Sequence, residues 1–233
     1  MDSKGIREKL KWLDPFTYVD LYVMPIINPG KNKVIETVVD IFFAFLFAFI
    51  LYNFIFVFIL GTSAPLVIVY SGSMEPVLYR GDVVVLKGTN QIDVAEVNVD
   101  FPVGNRLVSE YAEFGYAQTE KGLRQAAIKI NNKEYLFDSS GPIVVYNSAL
   151  RHQDIIHRAV LKLNAPDGAF LITFGDNNPV IDEDCRQTPS GYNCISLYPV
   201  PVKSLIGEYV FHIPFIGHLK LILFDDLPKL IFG

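Results

Sequence analysis

A chain of 233 residues and 26.2 kDa is long enough to bury one sizeable hydrophobic core. Hydrophobic residues make up 51% and charged residues 19%, and a mean hydropathy of +0.30 indicates at least one strongly apolar segment. The formal net charge of −5, without any cluster of lysine and arginine, argues against a nucleic-acid-binding surface.

Residues 1–35 mix basic and acidic side chains and form the first predicted segment. Ile6, Leu10 and Leu13 recur at helical spacing up to Asp14-Pro15, where a helix would end. Two interpretations stay open: a short amphipathic helix lying on a membrane surface, or an exposed leader.

The segment 36–61 is predicted to be a transmembrane helix. Every residue from 41 to 60 is apolar except Asn53, and some 20 residues rising about 1.5 Å each span a hydrocarbon core of about 30 Å. A helix also satisfies every backbone polar group inside the bilayer. The run is longer than the apolar core of a cleaved signal peptide and begins about forty residues into the chain, which disfavours cleavage.

The positions of basic residues predict the orientation of this helix. Lys31 and Lys33 precede the helix, whereas the next basic residue after it is Arg80. By the positive-inside rule, the N-terminus lies in the cytoplasm and the rest of the chain lies outside a cell membrane that it crosses once.

Residues 62–217 are predicted to form a mainly β domain, a coiled β-barrel or sandwich. Short β-branched and aromatic runs predict strands at 66–70, 82–87, 126–130, 135–137, 143–146, 158–163, 170–174 and 209–213. The more polar stretch 89–140 is interpreted as an insertion with a helix near 109–117. The apolar tail 218–233 carries charges that disfavour a second span, so it is expected to pack on the domain or to lie at the membrane interface.

Two cysteines, Cys185 and Cys194, flank a loop rich in turn-forming residues. Their spacing does not match a metal knuckle, and no histidine nearby completes one, so neither a metal nor a cofactor is predicted. In an oxidising compartment they would form a disulfide; otherwise they are two unpaired thiols.

A hydroxyl-bearing turn, Ser71-Gly72-Ser73-Met74-Glu75-Pro76, follows the apolar run by about a dozen residues. A serine becomes a nucleophile only when a base accepts its proton, and an imidazole titrating near about 6.5 is suited to that role. His157 opens a strand-like run that could hold it rigidly. The other histidines are interpreted as a solvated residue and two packed or interfacial ones: His152, His212 and His218.

An orienting carboxylate would complete such a site, because it fixes the tautomer of the imidazole. The acidic stretch 175–184 offers several carboxylates, with Asp176, Asp182 and Asp184 as the candidates. Composition alone does not choose among them, and the stretch also fits turn chemistry or a calcium-like acidic patch.

Four segments in order resemble type I signal peptidases, in the archaeal and endoplasmic-reticulum branch where His stands in place of the bacterial Lys. The segments are Ser-Gly-Ser-Met-Glu-Pro at 71–76, Arg-Gly-Asp-Val-Val-Val at 80–85, Ile-His-Arg-Ala-Val at 156–160, and Gly-Asp-Asn-Asn at 175–178 with a later Asp. Residues 206–217 look like the last strand and turn of that family. The insertion is longer than the family's usual connection, and this favours an archaeal over a eukaryotic source.

The resemblance implies a role for each matching residue. Ser73 would be the nucleophile, His157 the general base and Asp182 the orienting acid, and Asp184 stays open as a substitute. Asp176 would support the site. Ser71 would help to bind the oxyanion together with the backbone N–H of Ser73.

The function implied by the resemblance is that of a membrane-bound serine endopeptidase that cleaves signal peptides from secreted preproteins after small residues. Its partners would be preprotein signal peptides, the lipid bilayer and the protein-export channel. The alternative is a catalytically silent, membrane-anchored β domain that serves as a binding or assembly module. Separations well beyond about 4 Å between Ser73, His157 and an acid would favour that alternative. A related protease acting on other surface proteins is a third hypothesis.

Overall fold

The computed structural model describes residues 11–189 and 191–228. The chain divides into two compact units, with the boundary in the sequence between residues 59 and 60. Most of the predicted amphipathic N-terminal helix, including Ile6 and Leu10, lies outside the described residues. So does the end of the tail, residues 229–233.

The described part of the N-terminal unit contains two helices after a short 3-10 turn at Lys11–Leu13. Helix α1 covers Pro15–Ile27 and helix α2 covers Lys33–Leu60. Asp14-Pro15 ends the first turn, as predicted, but it also begins α1, because the Asp14 carboxylate accepts a hydrogen bond from the Phe16 N–H and proline suits the first helical position. Asn32 caps α2 in the same way through the Val34 N–H.

Helix α2 has the length and composition of a membrane span. It is 28 residues long, its most apolar window has a mean hydropathy of 2.6, and none of that window is buried within the protein. Within residues 11–189 and 191–228, it is the one helix that meets both criteria. The predicted apolar helix is therefore present, and it begins three residues before the predicted boundary.

The second unit is mainly β, as the sequence predicts, and has thirteen strands in its described part. They are β1 Leu66–Ile68, β2 Val83–Lys87, β3 Glu96–Asn98, β4 Glu113–Thr119, β5 Gly122–Ile130, β6 Lys133–Leu136, β7 Ile143–Ser148, β8 Gln153–Ala165, β9 Gly168–Phe174, β10 Arg186–Thr188, β11 Gly191–Asn193, β12 Val200–Pro201 and β13 Leu205–Ile213. All eight predicted strands overlap observed ones.

An eight-stranded sheet forms the centre of this unit, in the order β1-β2-β13-β7-β8-β9-β12. Neighbours along that order are antiparallel, and β3 adds to β8 in parallel. Buried aliphatic side chains from β7, β8 and β9 fill the core, including Val144, Ala159 and Leu171. These three central strands carry Tyr146, His157 and Thr173 of the candidate site.

The inserted stretch contains a separate three-stranded antiparallel sheet, β4-β5-β6. The helix predicted near 109–117 is wrong: a 3-10 turn at Val108–Glu110 leads directly into β4. Pairing of β4 with β5 along its whole length overrides the weak local preference of this polar segment.

Cys185 and Cys194 form a disulfide, so the alternative of two free thiols is wrong. The bond encloses the small hairpin of β10 and β11. The described part of the C-terminal tail begins with helix α3, His218–Leu221, which continues as a π-helical segment, Ile222–Asp226. Leu221 is fully buried and Asp226 pairs with Arg80 at 2.8 Å, so this part packs on the β domain.

Candidate active site

Buried apolar side chains anchor the serine turn, residues 71–76, in the core of the β domain. Met74 and Leu78 are almost completely buried beside β2 and β7, and the Leu78 N–H donates to the Met74 carbonyl at 3.0 Å. Ser73, one residue before Met74, is left half-buried. The turn therefore presents the Ser73 hydroxyl at the surface of the domain on a rigid base.

His157 lies on β8, opposite Val144 of β7, and is buried. Gly175, directly after β9, leaves room for its ring: a Cβ at that position would lie 2.9 Å from His157 Nε2. Strand pairing on both sides and this close glycine fix the position of the imidazole.

The structure brings Ser73, His157 and Asp182 into one hydrogen-bonded chain. Ser73 Oγ lies 2.9 Å from His157 Nε2. On the other side of the ring, His157 Nδ1 lies 2.8 Å from Asp182 Oδ1 and 2.6 Å from Oδ2. With the imidazole proton on Nδ1, Nε2 is free to accept the proton of the serine hydroxyl.

Two further hydroxyl groups orient the Asp182 carboxylate. Tyr146 on β7 donates to Asp182 Oδ2 at 2.8 Å, and Thr173 on β9 donates to the same oxygen at 2.7 Å. Burial, followed by the neighbouring charge of Asp182, raises the pKa of Tyr146 well above its usual value, so its phenol stays a donor. The carboxylate is thus oriented by donors from both strands that flank β8.

The other acids of the 175–184 stretch have different partners. Asp176 forms a buried, bidentate ion pair with Arg158, at 2.8 Å to Nε and 2.5 Å to Nη2. Asp184 accepts a hydrogen bond from Gln125 at 3.0 Å. Among the three aspartates left open by composition, Asp182 is the one that contacts the imidazole. Within residues 11–189 and 191–228, no cluster of His, Cys, Asp and Glu is placed to hold a metal ion.

Ser71 lies beside the candidate nucleophile, with its Oγ 3.2 Å from Ser73 Oγ. Asn177 fixes the same turn from the other side: its backbone N–H donates to the Ser73 carbonyl at 2.7 Å and its side-chain amide donates to the Gly72 carbonyl at 3.0 Å. The Gly-Asp-Asn-Asn segment therefore contributes through Asn177 as well as through Asp176.

An open cavity of about 430 Å³ lies between the serine turn and the β4–β5 hairpin. Its charged and polar lining includes Glu75, Lys121, Arg124 and Asn177. Lys121 Nζ reaches Asn177 Oδ1 at 2.5 Å, so the inserted sheet is connected to the residue that holds the serine turn.

The remaining histidines have other surroundings. His152 is exposed in the β7–β8 turn with a φ of 54°, as expected for a solvated residue. His212 lies 3.0 Å from the Tyr209 hydroxyl, and His218 contacts the Phe215 carbonyl at 3.2 Å. None of the hydrogen bonds described for these three involves Ser73.

Sequence reasoning did not identify Tyr146, Thr173 or Asn177. Tyr146 is opposite Ile155 and Thr173 is opposite Ala159, each two residues along β8 from His157. Residues two positions apart along a strand, and the residues paired with them, share one face of a sheet. The alternation of side chains would therefore have identified Tyr146 and Thr173 if the strand pairing had been known.

Comparisons with known proteins find similar sequences over most of this chain. The chain is 28% identical to the signal peptidase complex catalytic subunit SEC11 of Colletotrichum graminicola and to that of Pyricularia oryzae, over 162 residues in each case. These matches cover 70% of this chain and 65% of each relative, so the chain spans just under two thirds of the length of these proteins. The SEC11 subunit of Fusarium vanettenii is 27% identical over 165 residues, 71% of this chain and 67% of the relative. No protein-family model matches the chain.

The archaeal source stays a prediction, since these comparisons do not address it. The order of motifs, the arrangement of Ser73, His157 and Asp182, and the SEC11 matches agree on one relationship. The chain is similar to the catalytic subunits of signal peptidase complexes, which represent the endoplasmic-reticulum and archaeal branch of type I signal peptidases.

Proposed function

We propose that this protein is a serine endopeptidase in which Ser73, His157 and Asp182 act as nucleophile, general base and orienting acid. The observation that carries the proposal is the continuous chain from Ser73 Oγ to His157 Nε2 at 2.9 Å and from His157 Nδ1 to Asp182 at 2.6 Å. Both separations lie within the reach of about 2.6–3.2 Å that proton transfer needs. A catalytically silent module would be favoured by separations well beyond about 4 Å, and both distances are shorter than that.

The reaction would proceed through an acyl-enzyme. Ser73 Oγ passes its proton to His157 Nε2 and attacks the carbonyl carbon of the scissile bond. The imidazolium, stabilised by Asp182, then gives that proton to the leaving amine. A water molecule replaces the amine, loses a proton to His157 and hydrolyses the ester, which restores the Ser73 hydroxyl.

Ser71 would stabilise the negative charge that develops on the carbonyl oxygen. Its hydroxyl lies 3.2 Å from Ser73 Oγ and so borders the position that a reacting carbonyl would occupy. Together with the Ser73 backbone N–H it would supply the two donors of an oxyanion hole, each typically contributing about 10²–10³ in rate. Asp176 would act indirectly, by holding Arg158 and the loop that carries Asn177.

The substrates would be preproteins cut after the small residues that end a signal peptide. The names of the SEC11 relatives support this class of substrate. An extended peptide has a place to bind, because β1 is the terminal strand of the central sheet, pairs with β2 on one side and leads directly to Val69 and the serine turn. A peptide added beside β1 would form main-chain hydrogen bonds and approach Ser73.

The proposed location follows from helix α2. We propose that α2 spans the cell membrane with the N-terminus in the cytoplasm, as Lys31 and Lys33 predict, and that the β domain is extracytoplasmic. The disulfide between Cys185 and Cys194 supports an oxidising compartment for the β domain. The lipid bilayer and the protein-export channel would then be its partners, because the substrate's apolar segment enters the membrane there.

Cleavage of a purified preprotein by the full chain in detergent tests this function. N-terminal sequencing of the product should place the cut after a small residue, and replacing that residue with a large one should abolish cleavage. Cuts elsewhere in the preprotein, insensitive to that replacement, would favour the hypothesis of a protease with other substrates.

The same assay tests the assignment of the acid. Asp182→Ala should lose nearly all activity, whereas Asp184→Ala should retain most of it, because Asp184 contacts Gln125 and not the imidazole. The reverse order would show that Asp184 orients His157.

A further inference from the structure

Glu183 is a buried acid next to Asp182 that the mechanism above does not use. Its side chain is only 1% exposed. The Thr173 backbone N–H donates to Glu183 Oε2 at 3.1 Å, and Thr173 Oγ lies 3.0 Å from Glu183 Oε1. The same Thr173 hydroxyl donates to Asp182 at 2.7 Å. One threonine therefore bridges Glu183 and the carboxylate that holds His157.

Counting hydrogens indicates that this group of side chains carries one proton more than its two hydroxyls supply. Three contacts join the hydroxyls and carboxylates around Asp182: Tyr146 to Asp182 at 2.8 Å, Thr173 to Asp182 at 2.7 Å, and Thr173 to Glu183 at 3.0 Å. The two hydroxyl groups carry only two hydrogens. If Glu183 were ionised, one contact would join two oxygens without a hydrogen between them.

A proton on Glu183 supplies the missing hydrogen. Glu183 then donates to Thr173 Oγ, and Thr173 and Tyr146 both donate to Asp182. Their own contact, at 3.2 Å, is the longest in the group and needs no hydrogen.

The electrostatic surroundings agree with a neutral Glu183. Burial, followed by the charge of Asp182, raises the pKa of Glu183 well above its usual value. The other titratable groups around it are Tyr146 and Tyr111, whose pKa values are raised first by burial, so both remain neutral phenols. Within the described part of the chain, no lysine or arginine forms an ion pair with Glu183.

We propose that Glu183 is a positioning residue: a neutral carboxylic acid that donates to Thr173 and so commits the Thr173 hydroxyl to Asp182. The hydrogen-bonded chain then runs from Glu183 through Thr173, Asp182 and His157 to Ser73. Because Glu183 is neutral, a single negative charge faces the imidazole. This inference rests on the proposed protease function for its effect on rate, but the protonation of Glu183 is testable without it.

Two variants of the full chain in detergent test the positioning role. Glu183→Gln places an NH₂ donor at Oε1 and keeps a carbonyl oxygen for the Thr173 N–H, so kcat/KM should stay within about twofold of wild type. Glu183→Leu removes the donor to Thr173 and should lower kcat about tenfold with little change in KM, the loss expected for one hydrogen bond. Equal losses in both variants would overturn the proposal.

The pH profile of kcat/KM distinguishes a hydrogen-bonding role of Glu183 from an effect of its charge. A neutral Glu183 predicts that the acid limb of kcat/KM is the same in wild type and Glu183→Gln. An ionised Glu183 would instead stabilise the imidazolium through its charge, and its removal would move that limb to lower pH. A shift of about one pH unit or more would overturn the proposal.

Thermal unfolding gives a readout that needs no cleavage. Since the folded pKa of Glu183 is raised above the ordinary value of 4.5, the wild type loses stability relative to Glu183→Gln as pH rises above that value. The Tm of Glu183→Gln minus that of wild type should therefore increase between about pH 4.5 and 7. The exposed control Glu113→Gln should show no such increase.

A Tm difference that does not change with pH would show that Glu183 is ionised in the folded protein. If the difference grows but the wild type cleaves no preprotein, the proposed function fails while the protonation of Glu183 stands.

Discussion

Substituting Gly175 with alanine tests whether the imidazole must lie where the structure places it. The added Cβ would be 2.9 Å from His157 Nε2 and 2.6 Å from Asn178 Nδ2, whereas ordinary van der Waals contact begins at 3.4 Å. The ring would have to move by about 0.5 Å, the difference between 3.4 and 2.9 Å. Ser73 Oγ and Nε2 are 2.9 Å apart, so a shift of that size away from the serine would lengthen this distance to about 3.4 Å, outside the reach of about 2.6–3.2 Å that proton transfer needs.

The expected cost follows from the sensitivity of proton transfer to geometry. A misplacement of about 1 Å costs about a hundredfold, so Gly175→Ala should lower kcat/KM by about ten- to a hundredfold. The assay is the initial rate of preprotein cleavage in detergent, with circular dichroism to confirm that the variant folds. Gly30→Ala is the matched control, because a Cβ there meets nothing within 4 Å. A folded Gly175→Ala protein with wild-type kcat/KM would refute the assigned position of His157.

Two further predictions concern stability. Asp176→Asn leaves the Arg158 guanidinium buried without its counter-ion, and should destabilise the β domain by about 3–5 kcal/mol, measured as a fall in Tm. Lys129→Ala breaks the exposed pair with Glu113 and should cost less than about 1 kcal/mol; equal effects would show that the Arg158 pair is not buried in solution. Replacing both Cys185 and Cys194 with serine should cost about 2–3 kcal/mol through the loss of a nine-residue loop closure, and should make Tm insensitive to reductant. A wild-type Tm that reductant leaves unchanged would contradict a stabilising role for that disulfide.

The sequence predicts the central strands because their β-branched runs carry the signal locally. It does not predict β4, whose residues 113–119 alternate poorly and become a strand through pairing with β5. The two-residue strand β12 likewise exists only because β9 lies beside it.

The residues of the candidate site also fall into two groups, those that local sequence predicts and those that depend on the fold. Ser73, His157 and Asp182 were predictable because they lie in short segments that resemble a family in a fixed order. The role of Glu183 was not predictable, because a run of three acids such as 182–184 normally indicates a solvated loop. The fold instead buries Asp182 and Glu183, each to 1% exposure. Their burial depends on Thr173 and Tyr146, which come from distant segments and are brought together by strand pairing.

The role of Ser73 as nucleophile is tested by the rate of preprotein cleavage by Ser73→Ala, measured beside wild type and Ser71→Ala in the full chain. Ser73→Ala should cleave no faster than the uncatalysed background, because no other hydroxyl is hydrogen-bonded to His157 Nε2 in the described part of the chain. Ser71→Ala should retain the nucleophile and lose about 10²–10³ in rate. Cleavage by Ser73→Ala at a rate close to that of wild type would contradict the assignment of Ser73 as the nucleophile.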